Sequence, residues 1–193
     1  MTSRALLSTA SALQDTHQPG ALPLDFESVY HLYAAFVWRS LARLGVPSEQ
    51  LADATQDVFL VVHRRLAAFE GRSSLKTWLF GIALRVARDV SRRARRRPTE
   101  PLPPGLPAAS TDSPYESALR SEAVGLLYRL LDQLTPEQRA VFVLVELEQT
   151  SIPEAAEAVG ANVHTVTSRL RAARKQFEAA MRRHQMRHER RRP

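Results

Sequence analysis

Twenty-seven Lys and Arg against 20 Asp and Glu give this 193-residue chain a formal charge of +7, with 44% hydrophobic residues and no cysteine. A disulfide framework, a thiolate zinc site and a cysteine nucleophile are thereby excluded, and the size suits one large or two small domains with real cores. The basic balance favours an anionic partner, nucleic acid first among them, provided the charge is clustered rather than dispersed.

Residues 1–23 read as a flexible N-terminal extension. Their apolar run Ala5–Leu7 ends at Ser8, and no later apolar stretch approaches the roughly 20 residues of a membrane span, so neither a signal peptide nor membrane insertion is expected and the cytoplasm is the expected location. A first block, 24–97, carries helix periodicity with Gly and Pro confined to boundaries. Asp25 caps a predicted helix to about Leu44, closed by Gly45 and Pro47. Ser48 caps a second to about Phe69, and Ser73 or Ser74 a third towards Arg97, after the loop Glu70–Ser74.

The second helix presents Asp53, Gln56 and Asp57 on a polar face backed by Leu51, Ala54, Val58, Val61 and Val62. Two explanations stand level: carboxylates near a helix start favour the dipole, and an acidic face can dock a basic protein. The third helix buries Leu75, Leu79, Ile82, Val86 and Val90, with Phe80 and Leu84 on another side, which predicts packing on two faces. Arg85, Arg88, Arg92, Arg95 and Arg96 share a stripe about fifteen Å long that suits a phosphate backbone, since helical rise is about 1.5 Å per residue. Beside it stand Lys76, Thr77 and Trp78 and the polar loop Gly71, Arg72, Ser73 and Ser74, a combination able to hold unstacked bases. Trp78 fits a core position equally well.

Residues 98–114 hold six of the twelve prolines and read as a flexible Pro-rich linker. The second block, 115–183, has two capping boxes, Thr135 with Gln138 and Ser151 with Glu154, each followed by proline near the helix start. From Ser151 the pattern is helix-turn-helix: a short helix to Val159, Gly160 in a left-handed position, and a second helix capped by Asn162. In that helix Val163, Val166, Leu170, Ala173 and Phe177 face inward, leaving His164, Thr165, Thr167, Ser168, Arg171 and Lys175 outward. A major-groove helix needs such donors and acceptors. Arg171 suits bidentate reading of guanine, while Arg169 and Arg174, nearer the packing boundary, suit phosphates. Residues 184–193 form a basic tail. No strand alternation is present, so the expected fold is all-α, with two small helical domains joined by the linker.

The whole arrangement resembles a sigma factor of the extracytoplasmic-function (ECF) type, a subunit of bacterial RNA polymerase. The resemblance rests on DATQDVFLVVHRRLAAF at 53–69, LKTWLFGIA at 75–83, RDVSRRARRR at 88–97, LTPEQRAVFVL at 134–144 and NVHTVTSRLRAAR at 162–174, in the family's order and spacing. It implies that 24–97 is region two and 115–183 region four. It further implies that Asp53, Gln56 and Asp57 dock on core RNA polymerase. Gly71, Arg72, Ser73, Ser74, Lys76, Thr77, Trp78, Arg85, Arg88 and Arg92 would hold the single-stranded minus-ten element, and the reading helix the duplex minus-thirty-five element. An anti-sigma factor is the implied regulator.

The sequence departs from the family pattern at Leu84, Arg85, Gln149, His164, Thr167 and Ala172, which implies an unusual minus-thirty-five sequence or weaker basal binding. No catalytic motif, metal spacing or phosphate loop is present, so no enzyme activity, cofactor, metal or small-molecule substrate is expected. Two other readings fit the residues alone: a free helix-turn-helix regulator whose first block dimerises or senses, and an interaction protein that sequesters a helical factor.

Overall fold

The structure, a computed structural model, describes residues 25–96 and 114–189; the N-terminal extension, nearly all of the linker and the end of the basic tail lie outside them. The described residues form seven α-helices and no strand. The first three are α1 (Phe26–Arg43), α2 (Leu51–Arg65) and α3 (Leu75–Arg96). Asp25 caps α1 as expected, accepting the Ser28 backbone N–H at 2.8 Å and the Ser28 hydroxyl at 2.6 Å. Those two bonds hold its carboxyl below the usual aspartate range, so the cap acts above ordinary aspartate titration and fades as pH falls through the lowered value.

Ser48 does not cap α2. The chain instead turns through a 3₁₀ segment, Ser48–Gln50, in which the Gln50 N–H reaches the Pro47 carbonyl at 2.9 Å, so a backbone carbonyl replaces the expected hydroxyl. A second 3₁₀ turn, Leu66–Ala68, ends α2 before Phe69, whose backbone is extended. Ser74 is the cap of α3: its Oγ accepts the Thr77 N–H at 3.1 Å. α3 is packed on two sides as predicted, with Leu79, Ile82 and Val90 buried on one stripe and Phe80, Ala83 and Leu84 on the other. Complete burial of a side chain such as Leu79 or Phe80 contributes about 2 kcal/mol each.

The second block comprises α4 (Pro114–Leu131), α5 (Pro136–Phe142), α6 (Ile152–Val159) and α7 (Val163–Glu189). Both capping boxes form, with the Gln138 N–H on Thr135 and the Glu154 N–H on Ser151, and Gly160 takes a φ of +67°. Asn162 caps α7 through the Thr165 N–H at 2.7 Å. Val166, Leu170 and Ala173 are buried, and Phe177 stacks on Phe142 with centroids 4.6 Å apart. Val163, expected inward, is 46% exposed, because a side chain at the first helical position leans back beyond the helix end. α7 also runs past Arg183 to Glu189, its later turns held to the second block by Arg183 on the Gln133 side-chain oxygen and by buried Ala180.

Two features were not foreseen. α5 continues into a π-helical turn, Val143–Leu147, closed by the Glu148 N–H on the Val143 carbonyl at 3.0 Å. In addition, buried apolar residues of the two blocks form one continuous cluster, from Val29 through Phe80 and Val159 to Leu170. The blocks meet where α3 crosses α6, and a Cβ placed on Gly81 would lie 3.4 Å from the Ala158 carbonyl oxygen and 3.8 Å from its Cα.

Gln149 follows the π turn with a φ of +56°, the one non-glycine residue with positive φ among those described. Left-handed backbone costs an L-residue about 1 to 2 kcal/mol, here offset in part by Gln149 Nε2 donating to the Glu146 carbonyl at 2.8 Å. Gln149→Gly is therefore expected to melt at or above the parent temperature, whereas Gln149→Val loses about 1 to 2 kcal/mol. Thermal and denaturant unfolding of the two variants checks this; equal losses would show that the turn does not demand left-handed backbone.

Candidate nucleic-acid and protein-docking surfaces

On α2, Asp53, Gln56 and Asp57 are all exposed, and neither carboxylate forms an ion pair among the described residues. Gln56 also lines an apolar groove of about 910 Å³ between α1 and α2, with Phe26, Tyr30, Ala34, Trp38, Phe59 and Leu60. Tyr30, Trp38 and Leu60 are 44%, 38% and 47% exposed, so three large apolar side chains sit beside two unpaired carboxylates. That combination matches a protein-docking surface better than a helix-dipole role alone. The groove was overlooked in the sequence, although Phe26, Tyr30, Ala34 and Trp38 repeat every four residues and supply more apolar surface than one core face of α1 requires.

A second pocket, of about 320 Å³, opens where the loop before α3 meets the ends of α2 and α6. Phe69 and Trp78 form its aromatic wall with centroids 5.2 Å apart, and Arg65, Arg72 and Arg85 stand around it. Trp78 thus serves both readings, half-buried against Phe69 and facing the pocket. Gly71 turns the loop with a φ of +67°, Arg72 pairs with Glu70, and Ser73 lines the pocket. Thr77 is only 3% exposed, and its Oγ1 lies 2.9 Å from Ser74 Oγ, so it braces the loop from below.

Lys76 does not point freely outward: its Nζ meets a Glu148 carboxylate oxygen at 2.9 Å and lies 5.1 Å from the Phe36 ring centre. Arg85, Arg88, Arg92 and Arg95 are exposed along α3, with Arg92 bonded to Asp89 at 2.9 Å. Leu84 is 3% exposed and belongs to the core.

On α7, His164, Thr167, Ser168, Arg171 and Lys175 are exposed and share the outward side, while Thr165 and Arg169 are half-buried at its margins. The Thr167 hydroxyl donates to the Val163 carbonyl at 2.9 Å and that of Ser168 to the Thr165 carbonyl at 3.0 Å, leaving their oxygens as acceptors. Arg174 is already engaged, its guanidinium bonded to Glu146 of the π turn at 2.6 and 2.8 Å.

Comparison with known proteins bears directly on these surfaces. The sigma-70 region 2 model matches residues 29–97 and the sigma-70 region 4 model residues 125–177. The ECF RNA polymerase sigma factor SigM of Mycobacterium tuberculosis is 36% identical over 135 residues, covering 69% of this chain and 66% of that protein. SigX of Bacillus subtilis is 34% identical over 141 residues, covering 69% and 72%.

The chain belongs to the ECF sigma factor family. Its fold agrees with two solved relatives: the sigma factor RpoE of Bartonella quintana bound to the anti-sigma factor NepR, and CnrH bound to the cytosolic domain of CnrY. The TM-scores are 0.63 and 0.59 at 21% and 24% identity, covering 82% and 81% of this chain and 97% and 86% of those. The α3 arginines and most of the groove between α1 and α2 lie in region two, the outward side of α7 lies in region four, and the pocket before α3 is lined by residues of region two together with Glu157 and Ala158 of region four.

Because Glu146 holds Arg174, that arginine offers less to a phosphate than Lys175, for which no ion pair occurs among the described residues. Lys175→Ala should reduce the salt dependence of duplex binding by about one phosphate contact, and Arg174→Ala by clearly less. Affinity measured across a salt series separates the two; equal slopes would mean that Glu146 releases Arg174 to DNA.

Proposed function

We propose that this protein is a dissociable, non-catalytic sigma subunit that brings core RNA polymerase to particular promoters and helps to open them. The observation that carries the reading is the separation of two surface chemistries on one fold: an apolar groove with exposed carboxylates on α1 and α2, and guanidinium-rich surfaces on α3 and α7. Protein docks on the first, DNA on the others. Core polymerase is taken by Asp53, Gln56 and Asp57, with Tyr30, Trp38 and Leu60 supplying apolar contact area.

The division of labour on DNA follows from the shapes of the sites. A concave pocket with an aromatic wall and a cationic rim suits an unstacked base and its phosphates, so Trp78, Arg85, Arg88 and Arg92, the loop Gly71–Ser74, and Lys76 act on the minus-ten strand. Catching that strand stabilises the open duplex, since base–aromatic stacking contributes about 1 to 3 kcal/mol per base. The convex side of α7 suits the major groove. There Arg171 reads guanine, His164, Thr165, Thr167 and Ser168 reach neighbouring bases or phosphates, and Arg169 and Lys175 set register. The protein works in the cytoplasm without a cofactor. Regulation by an anti-sigma factor is supported by the two solved relatives of the same fold, each bound to a polypeptide partner.

Reconstitution with core polymerase on genomic promoter fragments tests the assignment; absence of both core binding and promoter-dependent transcripts overturns it in favour of a free regulator. Asp57→Arg should weaken core binding at least tenfold, about 1.4 kcal/mol, while leaving duplex binding by α7 unchanged; parallel loss of both would indicate misfolding. Arg171→Ala should cost about 1 to 3 kcal/mol and relax preference at one base pair, read by selection from randomised duplexes. A loss independent of sequence would make Arg171 a phosphate contact.

A further inference from the structure

The apolar groove of about 910 Å³ has a direction. The Phe26 ring meets His63 with centroids 5.0 Å apart and Tyr30 meets Phe59 at 4.8 Å, so α1 and α2 run antiparallel and the start of α1 lies at the end of α2. Asp53, in the first turn of α2, therefore stands towards the Trp38 end. Thr55 also lines the groove, and its Oγ1 is buried with no hydrogen-bond partner among the described residues. The exposed parts of Tyr30, Trp38 and Leu60 together offer on the order of 300 Å² of surface, given the area such side chains carry. A stable dimer needs about 800 Å² from each partner, so a second copy of the chain is poorly served by this groove. A tethered segment, present at an effective concentration on the order of millimolar, needs far less.

We propose that the occupant of this groove in the free protein is the chain's own N-terminal segment, with Leu6, Ala10 and Leu13 as its anchors. Residues 1–24 join the described fold at Asp25, next to Phe26 at one end of the groove. Leu6, Ala10 and Leu13 recur at spacings of four and three, the pattern with which an amphipathic helix lays one face into an apolar groove. As a helix that stripe is about 10 Å long, against about 18 Å from Phe26 to Trp38 at the same rise per residue. The connecting residues 14–25 can extend to about 40 Å, which brings every point of the groove within reach. With Leu13 towards Phe26, Arg4 arrives at the Asp53 end; it is the one Lys or Arg among residues 1–24, and their one carboxylate, Asp15, stays at the opposite end. Thr9, beside the stripe on a helix, brings a hydroxyl for Thr55 Oγ1. The consequence rests on the polymerase-docking reading given above: a filled groove must be vacated before core polymerase docks, so the apparent affinity for core falls by the fraction of molecules whose groove is empty.

The absence of native cysteine lets the contact be trapped. In the full chain at low protein concentration, Ala10→Cys combined with Ala34→Cys should cross-link within one molecule under mild oxidation. The rate should exceed by at least about tenfold that of Ala10→Cys combined with Ser91→Cys, whose second site is exposed on α3 outside the groove. Adding Leu6→Asp and Leu13→Asp should bring the two rates together. A chain lacking residues 2–20, which keeps the Asp25 cap, should bind core polymerase at least about threefold more tightly than the full chain, and the Leu6→Asp, Leu13→Asp variant should match it. Helicity measured in parallel identifies a variant that does not fold. Equal rates for the two cysteine pairs, or a cross-link that joins two chains instead of closing one, overturn the proposal, the second in favour of a dimer. Unchanged core affinity in the shortened chain overturns competition for the groove. Rapid cross-linking with core binding by none of the forms would instead leave the segment seated and overturn the polymerase-docking reading.

Discussion

The arrangement of the two regions depends on one carboxylate shared by two cations. Glu148 is nearly enclosed, and a lone ion in such a place is costly, so Arg43 and Lys76 are both required to hold it. Arg43 itself is fixed by its position in the last turn of α1, whose terminal carbonyls take Arg139 from the other region. The result is three cations and two carboxylates interleaved across the boundary, with charge left over on the cationic side. Such an interface is specific in register, because every partner must arrive together. It is also weak against an anionic competitor, because the surplus positive charge attracts one.

The means by which Glu148 reaches that position lies in the π turn. A regular α-helix through Val143–Leu147 would rotate the following residues by about 100° per residue and carry Glu146 and Glu148 to other sides. The extra residue in the turn lets Glu146 meet Arg174 on α7 while Glu148 faces region two, and the left-handed Gln149 then redirects the chain into the Ser151 cap. One irregular segment therefore sets both the orientation of the reading helix and the contact between regions. The Gln149 side chain offsets the strain of this backbone by bonding to the Glu146 carbonyl.

What was legible in the sequence was what acts over three or four residues. Asp25 with Ser28, Thr135 with Gln138, Ser151 with Glu154 and Asn162 with Thr165 are all i to i+3 bonds, and each formed as its spacing requires. The two-sided packing of α3 was likewise visible in Phe80 and Leu84. Ser48 failed as a cap because Pro47 supplied a competing backbone carbonyl, and Val163 failed as a core residue because it begins its helix. The contacts of Glu148 with Arg43 and Lys76 join residues 105 and 72 apart, a range at which no periodicity carries information. Lys76 illustrates the consequence: its place beside the α3 arginines pointed to a nucleic-acid strand, and only the fold shows that it pairs with the protein's own Glu148 carboxylate.

The basic excess of the chain can then be understood by location. Exposed guanidinium groups on α3 repel one another in the absence of DNA, and a cation-rich pocket is an uncomfortable feature for a free polypeptide in a cell crowded with nucleic acid. Placing Glu157 of region four at the pocket's edge, and Glu148 on Arg43 and Lys76, reduces the positive field of region two while leaving the outer arginines of α3 exposed for long-range attraction.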